Sequence, residues 1–187
     1  STHGTPVAGL IAAEHNGVGT AGICPNCQLM ILHVHSGGPW GMQPAFLGFD
    51  GFTQAIYFAV NNGAKVISQQ VGFTIDNDDY HQAIQYATEN GVLYLSSAGN
   101  NPRRLLEPGS NGHIYYPQNY PEVMAVGGYQ YNDGNYFQYN LNDSGKIAGG
   151  NGFGVNVQVA APADKLIAPS SLKPFTLQNI YEYVFEG

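Results

Sequence analysis

Four apolar runs rich in β-branched residues recur along the chain, at 28–35, 64–71, 92–98 and 123–129. A fifth, at 155–161, alternates more weakly. Near-continuous apolar runs predict strands covered on both faces, as in a parallel sheet. Helical patterns lie between them. Residues 50–62 place Phe52, Ala55, Ile56, Ala59 and Val60 on one stripe, and Gly63 stops it. Asn77 or Asp78 can cap a second helix, which carries Ala83, Ile84 and Ala87 and ends at Gly91. Strand, helix and strand at a spacing of roughly 30 residues is the βαβ signature. The expected fold is α/β, a mostly parallel sheet with helices on both faces, in one domain spanning 1–187. Residues 101–122 and 130–154 read as long loops, of the kind that carry function or insertions. In such sheets ligands bind beyond the carboxyl ends of the strands, which directs attention to 69–73, 97–101 and 127–129.

Composition narrows the class. The chain has 187 residues, enough for one sizeable core, and no apolar run approaches the length of a membrane span. It opens without a basic and apolar leader. Only 10% of residues are charged and the net charge is -7, which argues against a nucleic-acid partner. The 25 glycines and 13 tyrosines describe a loop-rich surface of uncharged polar character, common on secreted proteins. The two cysteines stand as Cys24-Pro25-Asn26-Cys27. Such a pair can be a local disulfide, a redox pair, free thiols or half of a zinc site. A second CxxC is absent, so four cysteine ligands cannot come from this chain. A disulfide here would point to an oxidising compartment.

The chemistry begins at His3-Gly4-Thr5-Pro6-Val7-Ala8-Gly9-Leu10-Ile11-Ala12-Ala13. A histidine opens a helix whose Ala8, Gly9, Ala12 and Ala13 permit close packing, which holds an imidazole rigidly enough to serve as a general base. The string resembles the active-site histidine motif of the subtilases, HGTxVAGxIAA. A second string, Val92 to Asn101, ends a strand in Ser97-Ala98-Gly99-Asn100. Gly-Asn is a common turn pair, but the run resembles the subtilase segment ending in AAGN, whose Asn donates to the oxyanion. A third string, Ala64 to Phe73, is similar to the family's VINMSLGG strand, with Gln70 for Ser and Phe73 for the second Gly. A bulky Phe73 is expected to narrow the groove for an extended substrate. Gly22 to Leu32, Tyr116 to Gly128 (against YPAxYPxVIAVGA) and Val159 to Pro162 (against VxAPG, with Ala163 for Gly) continue the resemblance in order over nearly the whole chain.

The resemblance implies a subtilisin-like serine endopeptidase acting on peptides or proteins, with His3 and Asn100 catalytic. It implies an S1 pocket flanked by Gln70, Val71 and Gly72 on one side and Ser97, Ala98 and Gly99 on the other. The family's triad runs Asp, His, Ser in chain order. Neither the Asp motif before His3 nor the GTSMA of the nucleophile occurs in these residues, and Gly187 matches the Gly that opens GTS. The chain therefore reads as a central catalytic-domain segment, truncated at both ends and inactive alone, completed by the remaining segments of the same domain. The competing reading is an inactive subtilase-like binding or scaffold module, motivated by Gln70, Phe73 and the Tyr-rich loops.

Other signals carry less. Residues 17–22 match GxGxxG, but they follow a helix and open a strand, the wrong context for a dinucleotide. In a subtilase the same loop wraps calcium, with the Asn16 side chain and the carbonyls of Glu14, Val18 and Thr20 as donors. His33 and His35 lie on one side of a strand with no third metal ligand nearby. Asp76, Asp78 and Asp79 fit a solvated helix start better than a cation site.

Overall fold

The computed structural model describes residues 4–36, 45–46, 48–99, 114–132, 135–138, 157–163, 166–169 and 184–185. These fall into two compact units, a smaller one of 1–29, 129–137 and 162–187 and a larger one of 30–128 and 138–161.

In the smaller unit, helix α1 (Gly4–Ala12) carries the small residues of the histidine motif. They are needed for close approach. A Cβ on Gly9 would collide with the ring of Pro169, and one on Gly22 would lie 2.6 Å from the Ala12 nitrogen and 2.8 Å from its Cα. The chain leaving α1 folds back along it, with Gly22 N–H on Ala13 O (2.9 Å), Ile23 N–H on Leu10 O (3.0 Å) and Cys24 N–H on Ile11 O (2.7 Å). Cys24 and Cys27 are joined as a disulfide in the structure, with Cα atoms 5.3 Å apart.

The larger unit opens with the two-residue strands β1 (His35–Ser36) and β2 (Ala45–Phe46), which pair antiparallel. Helix α2 (Gly48–Asn61) follows, then β3 (Val66–Gln69), α3 (Asp78–Glu89) and β4 (Leu93–Ser97). Along the rest of the chain, both units included, come β5 (Met124–Asn132), β6 (Asn135–Gln138) and β7 (Val157–Pro162), then β8 (Leu166–Ile167) and β9 (Val184–Phe185), which pair antiparallel in the smaller unit. The sheet order is β3-β4-β5-β6, with β7 also on β5. The β3–β4 and β4–β5 pairings are parallel, as the apolar runs predict. Asn77 caps α3 by accepting from Tyr80 N–H, while Gly63 and Gly91 end α2 and α3 at positive φ (82° and 73°).

The core lies between α2, α3 and one face of the sheet. Phe52, Ile56, Tyr80, Ile84, Val92, Tyr94 and Val123 are buried there. Along β3 and β4 the register pairs Ile67 with Tyr94 and Gln69 with Ser96 on this covered face. Val66 and Leu93, paired on the other face, are half exposed.

Three expectations are corrected. The run at 28–35 is a strand only at His35–Ser36. Leu29, Met30, Ile31 and Leu32 are exposed, and among the described residues they have no ladder partner. An apolar run without a partner has no hydrogen-bonding reason to be a strand. The second concerns Phe73. Its ring packs inward, 4.9 Å from the Phe49 ring, 5.0 Å from Phe52 and 5.8 Å from Tyr80, so it fills core rather than groove. The region 130–154, expected as loop, contributes part of β5 and all of β6.

Candidate active site

The site is best approached from β3 and β4. They run parallel, and Gln69, the last residue of β3, stands opposite Ser96, one residue before the end of β4. Residues 70–72 and 97–99 therefore emerge side by side at the carboxyl edge, where an open α/β sheet binds its ligands. Gln70 and Gly72 are exposed and Val71 is half-buried. Ser97 and Gly99 are partly covered, and Ala98 is buried with its N–H on Val126 O (2.8 Å). Gly99, which precedes Asn100 in sequence, has φ 88°, in the left-handed region that favours glycine. The expected S1 residues on the two segments are thus brought together. His3 and Asn100 lie outside the described residues; in sequence they directly precede α1 and directly follow Gly99.

The first of these segments is held firmly from behind. Gln69 Nε2 donates to Val71 O (2.7 Å). Phe73 exchanges both backbone hydrogen bonds with Tyr116, N–H to Tyr116 O at 2.6 Å and O from Tyr116 N–H at 2.8 Å. A Cβ on Gly72 would press on Tyr116 O and Gln118 Oε1, each 3.3 Å away. Gln69 Oε1 accepts from two buried phenols, Tyr94 at 2.6 Å and Tyr80 at 2.9 Å. Burial raises both phenols well above their ordinary value of 10.0; the hydrogen bonds lower Tyr80 a little, and the neighbouring Tyr80 raises Tyr94 further.

The 114–123 segment is itself anchored to α3. Tyr120 donates to Asp76 Oδ1 (2.7 Å) and stacks on the His81 ring, 3.8 Å between centroids. His81 Nε2 lies 2.9 Å from Glu122 Oε2, and Gln85 donates to Glu122 Oε1 at 3.0 Å. Burial pushes the Glu122 carboxyl up, but the hydrogen bonds from His81 and Gln85 outweigh it and leave it below its ordinary value of 4.5. Sequence reasoning missed the Gln69 and Glu122 networks. The signal available was polar Gln69 inside an apolar strand, with Tyr80 and Tyr94 where apolar residues would suffice.

The comparisons decide the family. The model of the subtilase family (Peptidase S8) matches residues 1–184. The chain belongs to the subtilases. Fervidolysin from Fervidobacterium pennivorans is 30% identical over 167 residues, covering 89% of this chain and 22% of its own length. Subtilisin Savinase from Lederbergia lenta is 33% identical over 125 residues, 67% of this chain and 41% of its own. The crystal structure of fervidolysin, a keratinolytic enzyme related to subtilisin, superposes with a TM-score of 0.73 at 29% identity, over 89% of this chain and 22% of that one. The subtilase thus spans less than half the length of these relatives, and its α/β fold with a parallel sheet is subtilisin-like.

The proposed calcium loop, 14–20, is exposed up to Gly19 in the structure. Asn16 Oδ1 accepts from Val18 N–H (3.0 Å) and Asn16 Nδ2 donates to Glu14 Oε2 (3.3 Å). An amide oxygen with one hydrogen bond keeps a second lone pair, so Asn16 Oδ1 is still able to accept from a further partner. Among the described residues, no group of three His, Cys, Asp or Glu side chains could hold a metal, so the His33 and Asp76 candidates gain no support. Asp76 is instead bonded to Tyr120. No helix among the described residues is long and apolar enough to cross a membrane.

Proposed function

We propose that this chain is the central part of a serine endopeptidase that hydrolyses peptide bonds with a Ser-His-Asp triad. What supports this most is the paired emergence of 70–72 and 97–99 at the carboxyl edge of a subtilisin-like sheet, directly before Asn100. In this reading the serine and aspartate come from other segments of the same domain. His3 takes the serine proton as the hydroxyl attacks the scissile carbonyl, then returns it to the leaving amine. The Asn100 amide donates to the oxyanion of the tetrahedral intermediate. Gln70, Val71 and Gly72 face Ser97, Ala98 and Gly99 across the S1 pocket. The Cys24–Cys27 disulfide favours an oxidising, extracellular location for the protein. Calcium held by Asn16 and the carbonyls of Glu14, Val18 and Thr20 would tie down the loop after α1; a chelator should then lower the melting temperature, and Asn16→Ala should remove that response.

The test is a fluorophosphonate probe with casein hydrolysis, applied to the full-length natural protein. Labelling and cleavage are expected, both abolished by His3→Ala. Asn100→Ala should cost about 10²–10³ in kcat, the loss measured when a subtilisin oxyanion donor is removed. A full-length protein that neither labels nor cleaves would leave the binding-module reading in place.

A further inference from the structure

We infer that Gln69 is a positioning residue for substrate selectivity, holding the S1 wall at 70–72 in place through the carbonyl of Val71. This rests on the protease reading above. Gln69 is a buried polar residue in the last position of β3, 8% exposed. An amide there costs stability unless every polar atom is bonded. Both lone pairs of Oε1 are used, by Tyr80 and Tyr94. The two phenols are fully buried, so they have no water to turn to. Their hydroxyls occupy Oε1, and Nε2 on the other arm of the amide donates to Val71 O, 2.7 Å away and two residues on; swapping the two arms would set oxygen against oxygen there.

The consequence falls on the segment beyond the sheet. After Gln69 the ladder with β4 ends, and among the described residues the next backbone anchor is the Phe73–Tyr116 bridge. Between them lie Gln70, Val71 and Gly72, which are the proposed wall. A free three-residue stretch could rotate its peptide planes; one extra hydrogen bond at its centre removes that freedom. Phe73 contributes from the far end, since its ring is locked among Phe49, Phe52 and Tyr80. Tyr80 supports the wall through its ring on Phe73, a contact that Tyr80→Phe leaves in place. In the family motif quoted above, the Gln69 position is held by an apolar Met, so the device belongs to this chain's own sequence.

The experiment compares two variants of the full-length protein. Tyr80→Phe/Tyr94→Phe removes both phenol hydrogen bonds and keeps the Nε2 bond to Val71 O. Adding Gln69→Met to that background removes the Nε2 bond while leaving no phenol stranded, so the triple variant should fold. The readouts are the kcat/KM ratio between a preferred and a poor P1 residue, and amide exchange at 70–73. The double variant should keep the parental ratio. The triple variant should lose about five- to tenfold of it, mainly through KM, the range one hydrogen bond commands. Exchange at 70–73 should rise by a similar factor in the triple variant alone. Equal ratios and equal exchange in the two variants would overturn the inference. An inactive parent would refute the protease reading instead, and the exchange comparison would still decide whether Gln69 holds the segment.

Discussion

The two units of this subtilase are built in opposite ways. The larger one excludes water with volume: Phe52, Ile56, Tyr80, Ile84 and Tyr94 fill the space between α2, α3 and the sheet. The smaller one does it by leaving side chains out. Gly9 meets Pro169, Gly22 meets the backbone of Ala12 and Ala13, and three backbone hydrogen bonds and a disulfide do the rest. A volume core is weakened by removing atoms, whereas a backbone-packed segment is weakened by adding them. The same conservative change, one methyl group, therefore carries opposite meanings in the two places.

Mutations can break this contrast. Ile84→Ala, at a site with no exposure, should cost about 4 kcal/mol in urea unfolding and strip exchange protection from α2, α3 and β4. If protection in α1 fell equally, the two units would be one cooperative block. Gly22→Ala should cost about 3 kcal/mol, because its neighbours are backbone atoms that cannot swing aside. A parental urea midpoint would show that the close approach is not required. Replacing both Cys24 and Cys27 by Ser opens only a short loop, so the entropic loss should be about 2 kcal/mol, read as a lower melting temperature that reductant no longer changes. The smallest effect is electrostatic. The Glu122 carboxyl titrates below 4.5 when folded, so its contribution is present above that value and disappears as the pH falls through the folded one. Glu122→Gln should flatten the acid limb of stability against pH; an unchanged acid limb would mean that the His81 and Gln85 bonds contribute nothing.

Much of the larger unit was legible from local signals. The stripe of α2, the Asn77 cap, and the glycines at 63 and 91 each act within a few residues, so sequence spacing carries them. The run at 28–35 failed because a strand is a property of two segments, and composition shows only one. Phe73 failed for a related reason. Its position next to the proposed substrate segment is visible in sequence, but the direction of its ring depends on Phe49 and Phe52 of α2, which lie far from it in the chain. The segments proposed to flank S1 were readable as motifs, and the β3–β4 register explains why they lie side by side. The hold that Gln69 exerts on Val71 was not, since it needs side-chain geometry across 25 residues to Tyr94.

The paired phenols on Gln69 also supply a clock. Their protons stay on in the folded state far above the ordinary 10.0, so the stability they represent is complete below that pH and drains away as the pH rises toward their folded values. Tyrosines at the surface ionise at once when the pH is jumped into that interval. Tyr80 and Tyr94 must wait until the space between α3 and β4 opens. The slow part of the rise in tyrosinate absorbance would then time the opening of the protein's interior, without a label and without a substrate.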